Sequence, residues 1–94
     1  MIQRFCFVKL LDVEVATRAE LAELIRARLR SAGADAVVGL PADESAVRWD
    51  LSIVIAAESV AAWNALAMRP AMIGVFDELS ARAAVVKAWT FEAL

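Results

Sequence analysis

Hydrophobic and polar residues alternate along three segments of this chain. They are IQRFCFVKL at 2–10, VRWDLSIVIAA at 47–57 and AVVKAWTF at 84–91. A fourth segment, ADAVVGL at 34–40, is a short apolar run that stops before Pro41. A period of two places successive side chains on opposite faces of a sheet, and short apolar runs also form strands. The pattern therefore predicts four β-strands.

The alternation also predicts which side chains share a face of each strand. In the first strand, one face carries Ile2, Arg4, Cys6, Val8 and Leu10, and the other carries Gln3, Phe5, Phe7 and Lys9. In the third strand, Val47, Trp49, Leu51, Ile53 and Ile55 lie opposite Arg48, Asp50, Ser52 and Val54. In the last strand, Val86, Ala88 and Thr90 lie opposite Val85, Lys87, Trp89 and Phe91.

Helical spacing appears between the strands. The first helix carries Leu21, Leu24, Ile25 and Leu29 at helical spacing. It follows Thr17-Arg18-Ala19-Glu20, which has the pattern of a capping box, and Gly33 is placed to end it in a left-handed conformation. Ser59 is a candidate N-cap for a second helix, whose inward stripe is Val60, Trp63, Leu66 and Ala67.

A proline interrupts the second helical region. Pro70 cannot donate a backbone hydrogen bond and biases Arg69 away from helical angles, but it suits the first position of a helix. The inward residues after it are Met72, Val75, Phe76 and Leu79. We therefore expect a new helical segment from Pro70 to about Arg82, with Met72 pointing into the space between helices and sheet.

The order of elements is β-α-β-β-α-β in a single domain over 1–94. This order predicts an α+β, ferredoxin-like fold in which both helices cover one face of a four-stranded antiparallel sheet. The uncovered face is nevertheless apolar: its members include Phe5, Phe7, Val54, Val85, Trp89 and Phe91. Since burying such a side chain is worth roughly 1.5–3 kcal/mol, we expect a second copy of the chain to cover this face.

The composition of the chain limits which binding partners and which cellular location we expect. A hydrophobic fraction of 62% is high for one small core and also favours an oligomer. The net charge of −2, without a basic run, predicts no nucleic-acid partner, and the apolar stretches are too short to predict a membrane span. One cysteine and the lack of a signal-peptide layout at the N-terminus agree with a cytoplasmic location.

The chain contains no histidine and no tyrosine. A histidine general base, histidine-ligated zinc or haem, and a Ser-His or Cys-His nucleophile pair are therefore excluded within one chain. The acidic residues show no paired acid–base spacing, and no metal-binding constellation is recognisable. We expect no metal and no cofactor.

Three segments, MIQRFCFVKL, WDLSIVIAAES and RPAMIGVF, resemble in order and spacing the motifs of the stress-responsive A/B barrel group of dimeric α/β-barrel domains. The resemblance implies a homodimer whose two sheets form a barrel, with a cleft between sheet and helices in each subunit. In the members known as enzymes, notably a plant polyketide cyclase, a His-Pro-Ala-His motif and a helix tyrosine supply the acid–base groups. The corresponding positions here are Arg69, Met72 and Leu66, and an early first-strand histidine that lines the cleft becomes Arg4.

Two groups of candidate residues follow. The candidate cleft residues are Arg4, Cys6, Trp49, Leu51, Ile53, Leu66, Met72 and Thr90. The candidate dimer-interface residues are Phe5, Phe7, Lys9, Arg48, Asp50, Val54, Lys87, Trp89 and Phe91. Each has a structural interpretation as well: Met72 as a core side chain, Cys6 as a small buried hydrophobe, and Arg4 as an ion-paired or rim residue.

Three functions remain open at this stage. The first is a homodimer that binds a small, mainly apolar or weakly anionic organic molecule in its clefts. The second is a cofactor-free enzyme resembling polyketide cyclases or monooxygenases, and the third is a structural or stress-response dimer without a ligand. A cavity favours the first two over the third, and a convergent polar group in that cavity favours the second.

Overall fold

The computed structural model describes residues 1–94 and contains four strands, three α-helices and two short 3-10 turns. The elements in order are β1 (Ile2–Leu10), a 3-10 turn (Asp12–Thr17), α1 (Arg18–Ser31), β2 (Asp35–Gly39), a 3-10 turn (Glu44–Ala46), β3 (Leu51–Ala57), α2 (Val60–Ala67), α3 (Pro70–Arg82) and β4 (Ala83–Glu92). None of the helices has the length and apolar character that crossing a membrane would require.

The four strands form one antiparallel sheet in the order β2-β3-β1-β4. The predicted ferredoxin-like fold is confirmed. β1 lies in the middle, where Arg4 is paired with Ile55 of β3 on one side and with Thr90 of β4 on the other. β4 is an edge strand, and all but its first residue are exposed.

The core lies between the helices and one face of the sheet. It is built from the inward side chains of β1 and β3 and the buried faces of α1 and α3; α2 adds no fully buried residue. The fully buried large side chains are Val8, Leu10, Leu21, Ile25, Leu29, Leu51, Ile53, Ile55, Met72, Val75 and Leu79. Of the helix residues predicted to face inward, Leu24 on α1 and Val60 on α2 are exposed, and the others are buried or partly buried.

The end of α1 matches its prediction, but its start does not. Gly33 has φ of +85°, the left-handed conformation that follows a helix C-terminus. At the start, Thr17 makes no capping bond, and its hydroxyl instead donates to the carbonyl oxygen of Glu14 at 3.3 Å. The capping box is absent because the 3-10 turn runs directly into α1, so Thr17 does not take the extended conformation that a capping side chain needs.

The break between α2 and α3 has the predicted form. Ser59 caps α2 by accepting the backbone N–H of Ala62 at 3.0 Å. Arg69 is extended, with φ −64° and ψ 137°, and Pro70 is the first residue of α3. The Arg69 guanidinium donates to the carbonyl oxygen of Ala32 at 3.1 Å, which ties the break to the end of α1.

The start of β3 corrects two predictions. The strand begins at Leu51 instead of Val47, because a 3-10 turn and an irregular stretch precede it. The alternation therefore does not extend to the two residues before the strand. Asp50, predicted at the dimer interface, is buried on the core side, and Trp49, predicted in the cleft, packs on Phe7 with 5.7 Å between ring centroids.

Candidate functional site

A cleft of about 190 Å³ opens between the sheet and the second and third helices, and we call it the β4 cleft. Its lining comes from β1, α2, α3 and β4. The lining residues are Arg4, Cys6, Trp63, Ala67, Phe76, Val86 and Ala88.

The β4 cleft exists because the helices do not cover the edge strand. The buried strand residues of the core belong to β1 and β3, while the inward side chains of β4 stay exposed. Two alanines, Ala67 on α2 and Ala88 on β4, face the gap with side chains too small to fill it. The result is an apolar hollow that reaches solvent beside β4.

Arg4 is the one cation of the β4 cleft. Its guanidinium carbon lies 5.6 Å from the ring centroid of Trp63, within the range of a cation–π contact. One of its N–H groups donates to the hydroxyl oxygen of Thr90 at 3.0 Å. None of the ion pairs of the protein includes this arginine.

Cys6 lies in the wall of the β4 cleft, and only 2% of its surface is exposed. Burial raises the pKa of its thiol above the ordinary value, and the nearby positive charge of Arg4 opposes that shift. A buried thiol of raised pKa stays protonated at neutral pH and is a poor nucleophile. Cys6 therefore supplies a weakly polar wall to the cleft.

The structure brings together only part of the predicted cleft set. Arg4 and Cys6 line the β4 cleft, and Thr90 holds Arg4. The side chains of Leu51, Ile53 and Met72 are fully buried in the core, and Leu66 packs against that core without lining the cleft. The prediction that Trp49 faces the cleft is wrong, because it lies on the other face of the sheet.

Five lining residues were not among the predicted site residues: Trp63, Ala67, Phe76, Val86 and Ala88. The pattern had placed three of them on the inward faces of the helices and two on the same strand face as Thr90. What it could not show is that β4 lies at the sheet edge, beyond the cover of the helices. Because the helices do not cover this edge, residues that face them line the cleft and are not buried in the core.

We call the opposite face of the sheet the outer face. Its β1–β4 half carries large side chains and is called the high half, and its β2–β3 half carries smaller ones and is called the low half. β1 and β4 present large side chains, among them Phe5, Phe7, Trp89 and Phe91, whose rings contact one another or Trp49 at centroid distances of 5.7–6.0 Å. β2 and β3 present smaller side chains at the paired positions: Asp35, Val37, Gly39, Ser52, Val54 and Ala56. An extra Cβ at Gly39 would lie only 2.5 Å from the Ser52 hydroxyl oxygen, so the low half is closely packed there.

Basic residues lie toward one end of the outer face, and Asp35 lies at the other end. Lys9, Arg48 and Lys87 line an open groove together with Trp49, and the groove contains no carboxylate. A shallow aromatic hollow of about 510 Å³ lies beside it. Asp50, the acid predicted for this surface, is instead bonded to the Leu10 N–H at 2.8 Å and paired with Arg18 at 3.1 Å.

The fold is similar to several solved structures at low sequence identity. A dimeric ferredoxin-like protein of unknown function from Thermobifida fusca matches with a TM-score of 0.80 and 13% identity, over 98% of this chain and 90% of that one. Hydroxynitrile lyase from Passiflora edulis matches with a TM-score of 0.81 and 10% identity, over 99% and 93%. An antibiotic biosynthesis monooxygenase matches with a TM-score of 0.72 and 9% identity, over 100% and 99%.

No protein-family model matches the chain, and no curated protein matches it in sequence. At these identities the solved structures establish the ferredoxin-like fold alone. Among the similar structures, the proteins from Thermobifida fusca, Bacteroides fragilis and Jannaschia are described as dimeric or as dimeric ferredoxin-like proteins.

Proposed function

We propose that the protein is a homodimeric α/β-barrel protein of the stress-responsive A/B barrel kind that binds a small, mainly apolar organic molecule in the β4 cleft of each subunit. The observation that supports this proposal is an apolar cleft whose one cation is already held in place by Thr90 and Trp63. Apolar walls with few fixed polar groups are typical of small-molecule sites.

The shape of the outer face supports the dimer. Its aromatic half stands high and its β2–β3 half is low, so a two-fold axis can place the aromatic half of each copy on the low half of the other. Trp89 and Phe91 are 47% and 58% exposed in the single chain. Their burial by a second copy would supply a large apolar gain, and similar solved structures are described as dimeric.

The lining supports binding more than catalysis. The only titratable side chains in it are a guanidinium and a protonated thiol, and neither is suited to exchange protons near neutral pH. A volume of about 190 Å³ lies below the usual range of clefts for drug-sized ligands. The cleft therefore suits a molecule about the size of one substituted ring.

The three tryptophans give a direct test, because they report on different surfaces. Trp63 lines the β4 cleft, whereas Trp49 and Trp89 lie on the outer face. In a titration with benzyl alcohol followed by the indole N–H signals in an NMR spectrum, we expect the Trp63 signal to shift saturably while the other two stay in place. A Trp63→Phe variant assigns the signal.

Two alanines of α2 provide the matched variants. Ala67→Phe should fill the β4 cleft and abolish the shift, whereas Ala65→Phe, at an exposed position of the same helix, should leave it intact. A shift confined to Trp89 would place the ligand on the outer face and contradict the proposal. No shift of the Trp63 signal with benzyl alcohol would also contradict it.

A further inference from the structure

We infer that the ligand of the β4 cleft is a small aromatic monocarboxylic acid, whose carboxylate binds Arg4 and whose ring lies against the apolar walls. This inference rests on the proposed function, since it names the ligand class of the same cleft. It follows from the unmatched charge of Arg4, from the way its guanidinium is held, and from the composition of the remaining walls.

The charge of Arg4 has no acidic partner in the protein. Three of the eight arginines, Arg18, Arg26 and Arg82, are ion-paired; Arg4 differs from the other unpaired ones in lining the apolar β4 cleft. Glu92 belongs to the same sheet face, opposite Ile2, but no carboxylate lies within 4 Å of the Arg4 guanidinium. Arg4 is partly buried among apolar side chains and its bond to Thr90 is exposed to solvent, so its guanidinium can bind an anion that enters from outside.

The guanidinium is also oriented for such an anion. The guanidinium carbon lies 5.6 Å from the Trp63 ring centroid, and the Thr90 hydroxyl accepts from one of the five guanidinium N–H groups. The other donors remain for a ligand, and a planar carboxylate can accept two of them in parallel. Because both supporting contacts exist before a ligand arrives, little side-chain order is lost on binding.

The other residues of the β4 cleft favour a ligand with an aromatic ring and a single negative charge. Phe76, Val86 and Ala88 offer only apolar surface, and Phe76 offers an aromatic face for a ring. A phosphate monoester would bring about two negative charges to a single cation, which fits less well than one carboxylate. The small volume leaves room for one ring beside the carboxylate.

Benzoate and its neutral relative benzamide test the inference, since they share a ring and differ in charge. We expect benzoate to shift the Trp63 indole signal with a Kd about tenfold lower than that of benzamide, as a charge-assisted hydrogen bond would give. In Arg4→Gln the two should bind alike. Arg30→Gln removes the same charge from an exposed position of α1 and should keep the preference for benzoate.

The outcomes separate this inference from the proposed function. If benzyl alcohol shifts the Trp63 signal but benzoate binds no better than benzamide, the carboxylate inference is wrong and the cleft still binds ligands. An equal loss of benzoate and benzyl alcohol binding in Arg4→Gln would show that the arginine only shapes the cleft, which also overturns the inference. If none of the probes shifts the signal, both proposals fail.

Discussion

The side chain of Asp50 stabilises the C-terminal end of β1. Only 5% of Asp50 is exposed, and it makes two hydrogen bonds to β1 and one to α1. One carboxylate oxygen accepts the N–H of Leu10 at 2.8 Å, the other accepts from Arg18 at 3.1 Å, and its own N–H donates to the carbonyl of Val8 at 2.8 Å. Because the β1–β3 ladder ends at Val8 opposite Leu51, this carboxylate supplies the acceptor for Leu10 that β3 does not provide.

We expect Asp50→Ala to lower the free energy of unfolding by about 2–3 kcal/mol, since it leaves the buried Leu10 N–H without an acceptor and Arg18 without its partner. Chemical denaturation followed by circular dichroism measures the loss. Asp77→Ala, which removes an exposed carboxylate from α3, should change stability by less than about 0.5 kcal/mol. Equal effects of the two substitutions would show that the buried bonds contribute little.

Among the elements, α2 depends most on its cap. It has eight residues and no fully buried side chain, so tertiary packing supports it less than it supports α1 or α3. Ser59 caps its first turn, and the extended Arg69 ends the following turn before Pro70. Since α2 supplies Trp63 and Ala67, its stability decides how well one wall of the β4 cleft is held.

We expect Ser59→Ala to destabilise the protein by about 1 kcal/mol and to speed amide hydrogen exchange mainly in α2, because the N–H of Ala62 loses its acceptor. Hydrogen exchange measured residue by residue tests this. Ser80→Ala, at an exposed position within α3, is the matched control and should leave the exchange of α2 unchanged. Uniformly faster exchange across all helices would argue that the cap acts on the whole fold.

At the scale of the whole molecule, the outer face leaves aromatic side chains in contact with water, with Trp89 and Phe91 exposed and Phe5 and Phe7 partly exposed. Its high half combines Phe5, Phe7, Trp89 and Phe91 on the two adjacent strands β1 and β4. A monomer would keep these rings wet, whereas a dimer would bury them against the β2–β3 half. The proposed dimer is thus the state in which both faces of the sheet are covered.

Sedimentation at micromolar concentration should show a dimer for the native chain and a folded monomer for Trp89→Asp, because a carboxylate buried in an apolar interface is costly. Trp89 lies on the edge strand and is 47% exposed in the single chain, so the monomer should tolerate the change. Met68→Asp alters an exposed residue outside the sheet and should remain dimeric. A folded native chain that sediments as a monomer would contradict the proposed interface.

The fold followed from the sequence because its signals are local and repeated. The period of two in β1, Gly33 at the end of α1, and Pro70 at the start of α3 each reflect the conformation of a few neighbouring residues. The β4 cleft was harder to predict, since its walls depend on which strand lies at the edge of the sheet. The faces of Trp49 and Asp50 were mistaken because the alternation was extended across the turn before Leu51.

The pairing of the first and last strands also affects how the chain folds as it is synthesised. β1 pairs with β4 from Ile2 opposite Glu92 to Leu10 opposite Ala83, so a central strand and the edge strand beside it come from opposite ends of the sequence. Until β4 is free to pair, β1 can pair with β3 only, and its other edge and its phenylalanines remain open to unwanted contacts. Contacts this distant in sequence form slowly, and completion of the sheet must wait until β4 has left the ribosome.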